Sequence, residues 1–264
     1  MKTVNSGTAC RYTADADGVA VMEIHNPPMN ALSTPVIGAI RDTVMKALQD
    51  DDVRVIVLTG AGKAFIAGAE IREIRDLHKA SEGSDYLIAG QELFNMIENA
   101  EKPFIAAING FCLGGGLECA LACHIRIADE NAMLGLPEIK LGIMPGYAGT
   151  QRTTRLIGKG RACELVLSGN FINGSQAELY GLINRKSPPG ESLSESKKLA
   201  ADIAKRSRCA VKTAMTSIRE GYDMELAAAQ KFERDLFGTL CETSDKDEGI
   251  AAFLDKREPL FTDK

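Results

Sequence analysis

The stretch INGFCLGGGLECALA, Ile108 to Ala122, decides how this chain folds. It is almost wholly apolar, yet it sets Gly114, Gly115 and Gly116 in a row and then places a lone carboxylate, Glu118. Three glycines weaken any regular element they interrupt. An ionised carboxylate among apolar neighbours is costly unless it is paired or its pKa is displaced. Both features make sense if FIAAING (Phe104 to Gly110) is a buried strand, the glycines turn the chain, and a helix starts after them. Such a junction leaves backbone N–H groups bare at a helix start, where those donors and the helix dipole favour negative charge. The predicted result is an amide held against a developing oxyanion. Removing such a donor costs about 2.7–4 kcal/mol of barrier in enzymes that use one.

A second junction lies upstream. RVIVLTG (Arg54 to Gly60) is a continuous apolar run and reads as a buried strand. AFIAGAE (Ala64 to Glu70) is a glycine-containing turn, and IREIRDLHKA after it reads as helical. Two such turns can face two amides onto one carbonyl oxygen. Glu138, in LGLPEIKLG, is a second carboxylate in a largely apolar stretch. Two carboxyl groups beside one oxyanion hole are the parts for adding water to a conjugated double bond. One takes a proton from water, the other gives a proton to carbon, and the amides hold the enolate. Taken singly, a triple glycine is more often a packing device and a lone helical glutamate more often a surface residue. The conjunction is what points to chemistry.

The rest of the chain frames these junctions. Asp17-Gly18 signals a two-residue hairpin turn, with VAVMEI as the strand after it. Ser33-Thr34-Pro35 opens a helix whose buried face is Val36, Ile37, Ile40, Val44 and Leu48. Tyr86, Leu93, Phe94 and Ile97 line another, ending before Pro103. Helices dominate the C-terminal part, where Leu226, Ala229, Phe232, Leu236 and Leu240 form an apolar stripe. Strands alternating with helices predict an α/β body. SPPGESLSE (Ser187 to Glu195) marks the expected boundary between that body, residues 1–190, and a helical region, 191–264. No sequence repeat of solenoid length is visible.

Composition narrows the partners. The 264 residues are 45% hydrophobic and 25% charged, with a net charge of −5, a balance that disfavours nucleic acid. Seven cysteines at irregular spacing predict reduced thiols in a cytoplasmic setting, not a disulfide framework. No apolar run approaches a membrane span, and the N-terminus has neither a signal nor a transit pattern. Cys119, Cys123 and His124 lack the convergent partners of a metal site and read as buried small residues beside a histidine. TGAGKAF is not a phosphate loop, because Val57 stands where its first glycine would be. Arg72, Arg75 and Lys79 are interrupted by Glu73 and Asp76 and read as a solvated face.

The motifs NPPMNALS, GKAFIAGAEIREI, KPFIAAINGFCLGGGLECALAC, LPEIKLGIMPGYAGTQRTTRLIGKGRA and IAAFLDKRE, in this order, resemble the crotonase (enoyl-CoA hydratase/isomerase) superfamily from about Val19 to the C-terminus. The resemblance implies a ClpP-like spiral of ββα turns, followed by helices that close the ligand pocket and build a homotrimer or a dimer of trimers. It implies acyl-coenzyme A thioesters as ligands and reversible syn hydration of a 2,3-unsaturated acyl chain, with no metal and no further cofactor. A cyclic or conjugated dienoyl-CoA hydratase and a double-bond isomerase are the alternatives within the fold. By resemblance the oxyanion amides fall on Ala69 and Gly115, and the catalytic carboxylates on Glu118 (water activation) and Glu138 (proton exchange at the α carbon). Gly146 falls where an amide helps hold the water. Coenzyme A contacts fall on Ala67, Gly68, Ala69, Glu70, Ile71, Arg72 and Lys256. The chain departs from the family at Glu70, usually Asp, and at Ala148, usually Gly, with Tyr147 before it; these bear on the acyl pocket more than on the chemistry.

Overall fold

Each predicted strand–turn–helix junction feeds two sheets at once. The computed structural model describes residues 2–4 and 9–263. The chain opens with an antiparallel meander, β1 (Lys2–Val4), β2 (Cys10–Ala14) and β3 (Val19–Ile24), and then α1 (Thr34–Gln49). Three turns of a spiral follow. The first holds β4 (Val55–Gly60), β5 (Ala64–Ile66), α2 (Ile71–Arg75) and α3 (Ala80–Glu98). The second holds β6 (Phe104–Ile108), β7 (Phe111–Leu113) and α4 (Gly115–Ala122). The third holds β8 (Ile125–Asp129), β9 (Met133–Gly135) and a 3-10 turn, Pro137–Leu141. After it come α5 (Gly149–Ser168), β10 (Ile172–Asn173), α6 (Gly174–Tyr180) and β11 (Arg185–Ser187).

The first strand of each turn, β4, β6 and β8, enters a seven-stranded sheet in the order β1-β2-β3-β4-β6-β8-β11. The second, β5, β7 and β9, enters a four-stranded sheet in the order β10-β9-β7-β5. Within each sheet the successive turns pair in parallel. The repeat is therefore geometric, although the sequence shows none. Every residue of β4 and β6 is buried, as expected of interior parallel strands.

Helix α1 follows the sequence reading. Pro35 sits in its first turn, and Val36, Ile37, Ile40 and Val44 are buried while Leu48 packs partly buried against the core. Full burial of each aliphatic side chain is worth about 1.5–3 kcal/mol. Two local expectations change. The β2–β3 connection is longer than two residues: Ala14 pairs with Ala20, and the Asp15 carboxylate accepts the N–H groups of Asp17 and Val19. The run IREIRDLHKA forms only the short α2, because Glu82 accepts the N–H groups of His78 and Lys79 and so starts α3 afresh.

The chain divides into two compact units, residues 1–200 and 201–264, so the division falls inside α7 (Ser192–Ala204). In the second unit α8 (Arg208–Gly221) packs on α9 (Leu226–Leu240), and α10 (Ser244–Asp255) follows. There Asp245 accepts the N–H groups of Thr262 and Asp263, tying the chain end to α10. No residue of α8 or α9 is buried, and Ile218, Leu226 and Phe237 are exposed. Among the described residues no helix is long and apolar enough to cross a membrane, and no disulfide joins the cysteines.

Candidate active site

The three glycines have separate reasons. Gly114 is the N-cap of α4 with φ 52° and ψ −125°, a conformation that L side chains rarely adopt, and a Cβ there would lie 2.9 Å from Glu138 Oε1. Gly116 lets α4 lie on β5, since a Cβ would stand 2.0 Å from the Ile66 carbonyl oxygen. Between them Gly115 is the first residue of the helix, so its N–H has no intrahelical acceptor.

The second amide is left out of the local hydrogen bonding by strand geometry. Leu32 and Ala69 form a parallel bridge in which Leu32 N–H donates to Gly68 O and Glu70 N–H donates to Leu32 O, each at 2.8 Å. Because backbone groups alternate along an extended segment, the N–H of Ala69 points away from Leu32. Ala69 and Gly115 both line one cavity of about 770 Å³.

Glu118 and Glu138 line the same cavity. Glu118, in the first turn of α4, is 1% exposed. Its Oε1 accepts N–H groups from Tyr147 at 2.8 Å and Gly149 at 2.7 Å. Burial, and secondly the charge of Glu138, push its pKa up to about 8 against the pull of those two amides and of Arg152. Glu138 opens the 3-10 turn after Pro137, and burial raises its pKa as well. Its Oε2 is buried without a hydrogen-bond partner. The site therefore holds one carboxyl group fixed by two amides and one with an unspent oxygen, both biased toward the protonated form. Two carboxyl groups so placed can exchange protons with a ligand between them.

The wall around them is apolar, with Ile74, Leu77, Leu87, Leu141, Ile143 and Met144. Of the candidates read from the sequence, Ala67, Gly68, Ala69, Ile71, Gly115, Glu118, Glu138 and Gly146 line this cavity. Glu70 and Arg72 do not: the Glu70 carboxylate caps α2 by accepting Arg72 N–H, and Arg72 is exposed. Lys256 lies in the second unit, where it closes α10 in the left-handed conformation with φ 55°. Cys119 and Cys123 are buried, His124 Nδ1 accepts the Phe104 N–H, and no cluster able to hold a metal ion occurs among the described residues.

From the sequence the Gly146–Ala148 loop is expected at the site and the helix behind it is expected in the fold, but the polar contacts by which the two hold Glu118 are not. The signal was present as a polar row on α3, Gln91, Asn95 and Glu98, which its spacing puts on one helix face. Gln91 Nε2 donates to Gly146 O at 2.7 Å, while Asn95 and Glu98 both hold Arg152.

Comparison with known proteins agrees with this architecture. A family model described as enoyl-CoA hydratase/isomerase matches residues 14–264. The chain is 42% identical to a crotonyl-CoA hydratase of Syntrophomonas wolfei, over 93% of this chain and 95% of that protein. It is 44% identical to a probable enoyl-CoA hydratase of Bacillus subtilis, over 92% and 95%. Among solved structures, an enoyl-CoA hydratase from Bacillus anthracis superposes with a TM-score of 0.92 at 34% identity, covering 97% of this chain and 100% of that one.

Proposed function

Because the chain belongs to the enoyl-CoA hydratase/isomerase family, we propose that it hydrates the 2,3 double bond of an acyl-CoA thioester, reversibly, by acid–base chemistry alone. The observation that carries this reading is the convergence of Glu118 and Glu138 on one cavity with Ala69 and Gly115. The thioester carbonyl oxygen lies between the two amides. Water, held by Glu118 and the Gly146 segment, gives its oxygen to C3 and a proton to the Glu118 carboxylate. The negative charge passes to the carbonyl oxygen as an enolate, where the amides and the α4 dipole stabilise it. Protonated Glu138 then delivers a proton to C2, and exchange with solvent resets both carboxyl groups.

The apolar wall suits a hydrocarbon acyl chain. Arg72, exposed beside the Ala67–Ala69 turn, supplies a cation for the phosphates of coenzyme A, which the overall charge of −5 does not favour. The unburied faces of α8 and α9 support assembly into a trimer or a pair of trimers. Reduced cysteines fit a cytoplasmic location. An isomerase of the same fold needs only one carboxylate to move a proton between carbons, so the second glutamate favours hydration.

The test is product analysis with crotonyl-CoA in 18O-labelled water. A hydratase gives a 3-hydroxyacyl thioester carrying the solvent oxygen. A product with a displaced double bond and no solvent oxygen would overturn the reading.

A further inference from the structure

Glu118 is held by a loop, and the loop is held by Arg152. Only 8% of the Arg152 side chain is exposed, and its fork is nearly fully used. Its Nη1 donates to Tyr147 O at 3.0 Å. Its Nε donates to both Glu98 carboxylate oxygens at 3.1 Å, and its Nη2 to Glu98 Oε2 at 2.6 Å and to Asn95 Oδ1 at 3.0 Å. Arg152 lies in α5 and its two acidic and amide partners in α3, so one guanidinium bolts the start of α5 to α3.

The loop peptides are fixed from both sides. The Gly146–Tyr147 peptide gives its carbonyl to Gln91 and its N–H to Glu118. The next peptide gives its carbonyl to Arg152. Ala148 then adopts φ 70°, ψ 22°, a left-handed conformation that costs an alanine about 1–2 kcal/mol and that the flanking bonds hold in place. It delivers Gly149 N–H to the same oxygen of Glu118.

We propose that Arg152 is a positioning residue: clamped to α3 by Asn95 and Glu98, it fixes the Tyr147 carbonyl so that two loop amides hold the Glu118 carboxylate where it meets water. The proposal rests on the hydratase reading for its kinetic consequence but not for its structural one. The titratable groups that face Glu118 are Glu138 from the 3-10 turn, Arg152 from α5 and Tyr147 from the loop. Arg152 alone among them is cationic and favours the ionised carboxylate.

The experiment compares wild type with Arg152→Gln, Arg152→Lys and Asn95→Ala. Asn95 is exposed, so its replacement tests the clamp in a protein that keeps Arg152 and folds. The Glu118 carboxyl is titrated by 13C NMR in the ligand-free protein, with Glu118→Gln identifying its signal. The expected midpoint moves up by about one pH unit in Arg152→Gln, where charge and fork are both lost. It moves less in Arg152→Lys, which keeps the charge. In parallel, hydration kinetics are expected to show kcat about tenfold lower in both Arg152 variants, with KM within threefold, since a displaced general base slows chemistry more than binding. Asn95→Ala shows the same split at a smaller amplitude. An unmoved NMR midpoint in a folded Arg152→Gln variant, or unchanged kcat across all three, overturns the positioning role. If wild type itself fails to hydrate enoyl-CoA, the hydratase reading falls, and the NMR titration still decides whether Arg152 governs Glu118.

Discussion

Replacing Gly149 with alanine separates the grip on Glu118 from the stability of the fold. A Cβ at this position would lie 2.7 Å from Glu118 Oε1, 2.9 Å from its Cγ and 3.0 Å from Pro145 Cβ. Ordinary contacts start near 3.4 Å, so the carboxylate oxygen must retreat by about 0.7 Å, and the 2.7 Å bond from Gly149 N–H is strained or lost. A misplacement near 1 Å at a reacting group costs about 100-fold in rate, which puts the expected fall in kcat at about 10- to 100-fold. The fold is expected to survive. Alanine in a helix gains up to about 1 kcal/mol over glycine and overpacking costs about 1–3 kcal/mol, a net loss of about 0–2 kcal/mol. The assay is loss of the conjugated enoyl-thioester absorbance, with thermal unfolding measured on the same sample. A folded Gly149→Ala protein with wild-type kcat would refute the claim that the position of Glu118 limits turnover.

Two further outcomes concern pH. Glu118 must be ionised to take a proton from water, and in the free protein it stays protonated up to about pH 8. The expected kcat/KM therefore rises with pH as Glu118 ionises and falls again on the alkaline side as Glu138 loses the proton it must deliver; a profile flat from about pH 6 to 9 contradicts the assignment. The raised pKa of Glu118 makes the folded state bind more protons than the unfolded state between about 4.5 and 8. Stability from this group is thus present below about pH 4.5 and is lost as pH rises through about 8, a loss of up to roughly 5 kcal/mol. Denaturant unfolding across this range is expected to show a shallower decline in Glu118→Gln than in wild type, and identical slopes would count against burial as the cause.

The sequence carried the chemistry better than it carried the support for it. Glu118 and Glu138 stood out because carboxylates in apolar stretches are conspicuous, and the glycine run before Glu118 indicated a bare helix start. The spiral was not visible as a repeat, since β4, β6 and β8 share a place in the sheet without sharing residues. Arg152 was hidden for a different reason. An arginine in QRTTR reads as surface charge, and only the three-dimensional approach of α3 turns Asn95 and Glu98 into its partners. Ala148 was legible as a departure from glycine, but its left-handed conformation became visible only in the backbone. Glu70 and Arg72 sat beside a correctly placed turn and yet lie outside the cavity wall, because the Glu70 side chain is engaged in capping α2.

The most direct test of two-carboxylate hydration is turnover in Glu118→Gln, measured alongside the binding of a saturated acyl-CoA. The substitution keeps the side-chain volume and an oxygen for the Tyr147 and Gly149 amides, and it removes the base. Loss of a positioned general base costs about 100- to 10,000-fold in rate, so kcat is expected to fall within that range while thioester affinity stays within threefold. Hydration within twofold of wild type would contradict the account at its centre.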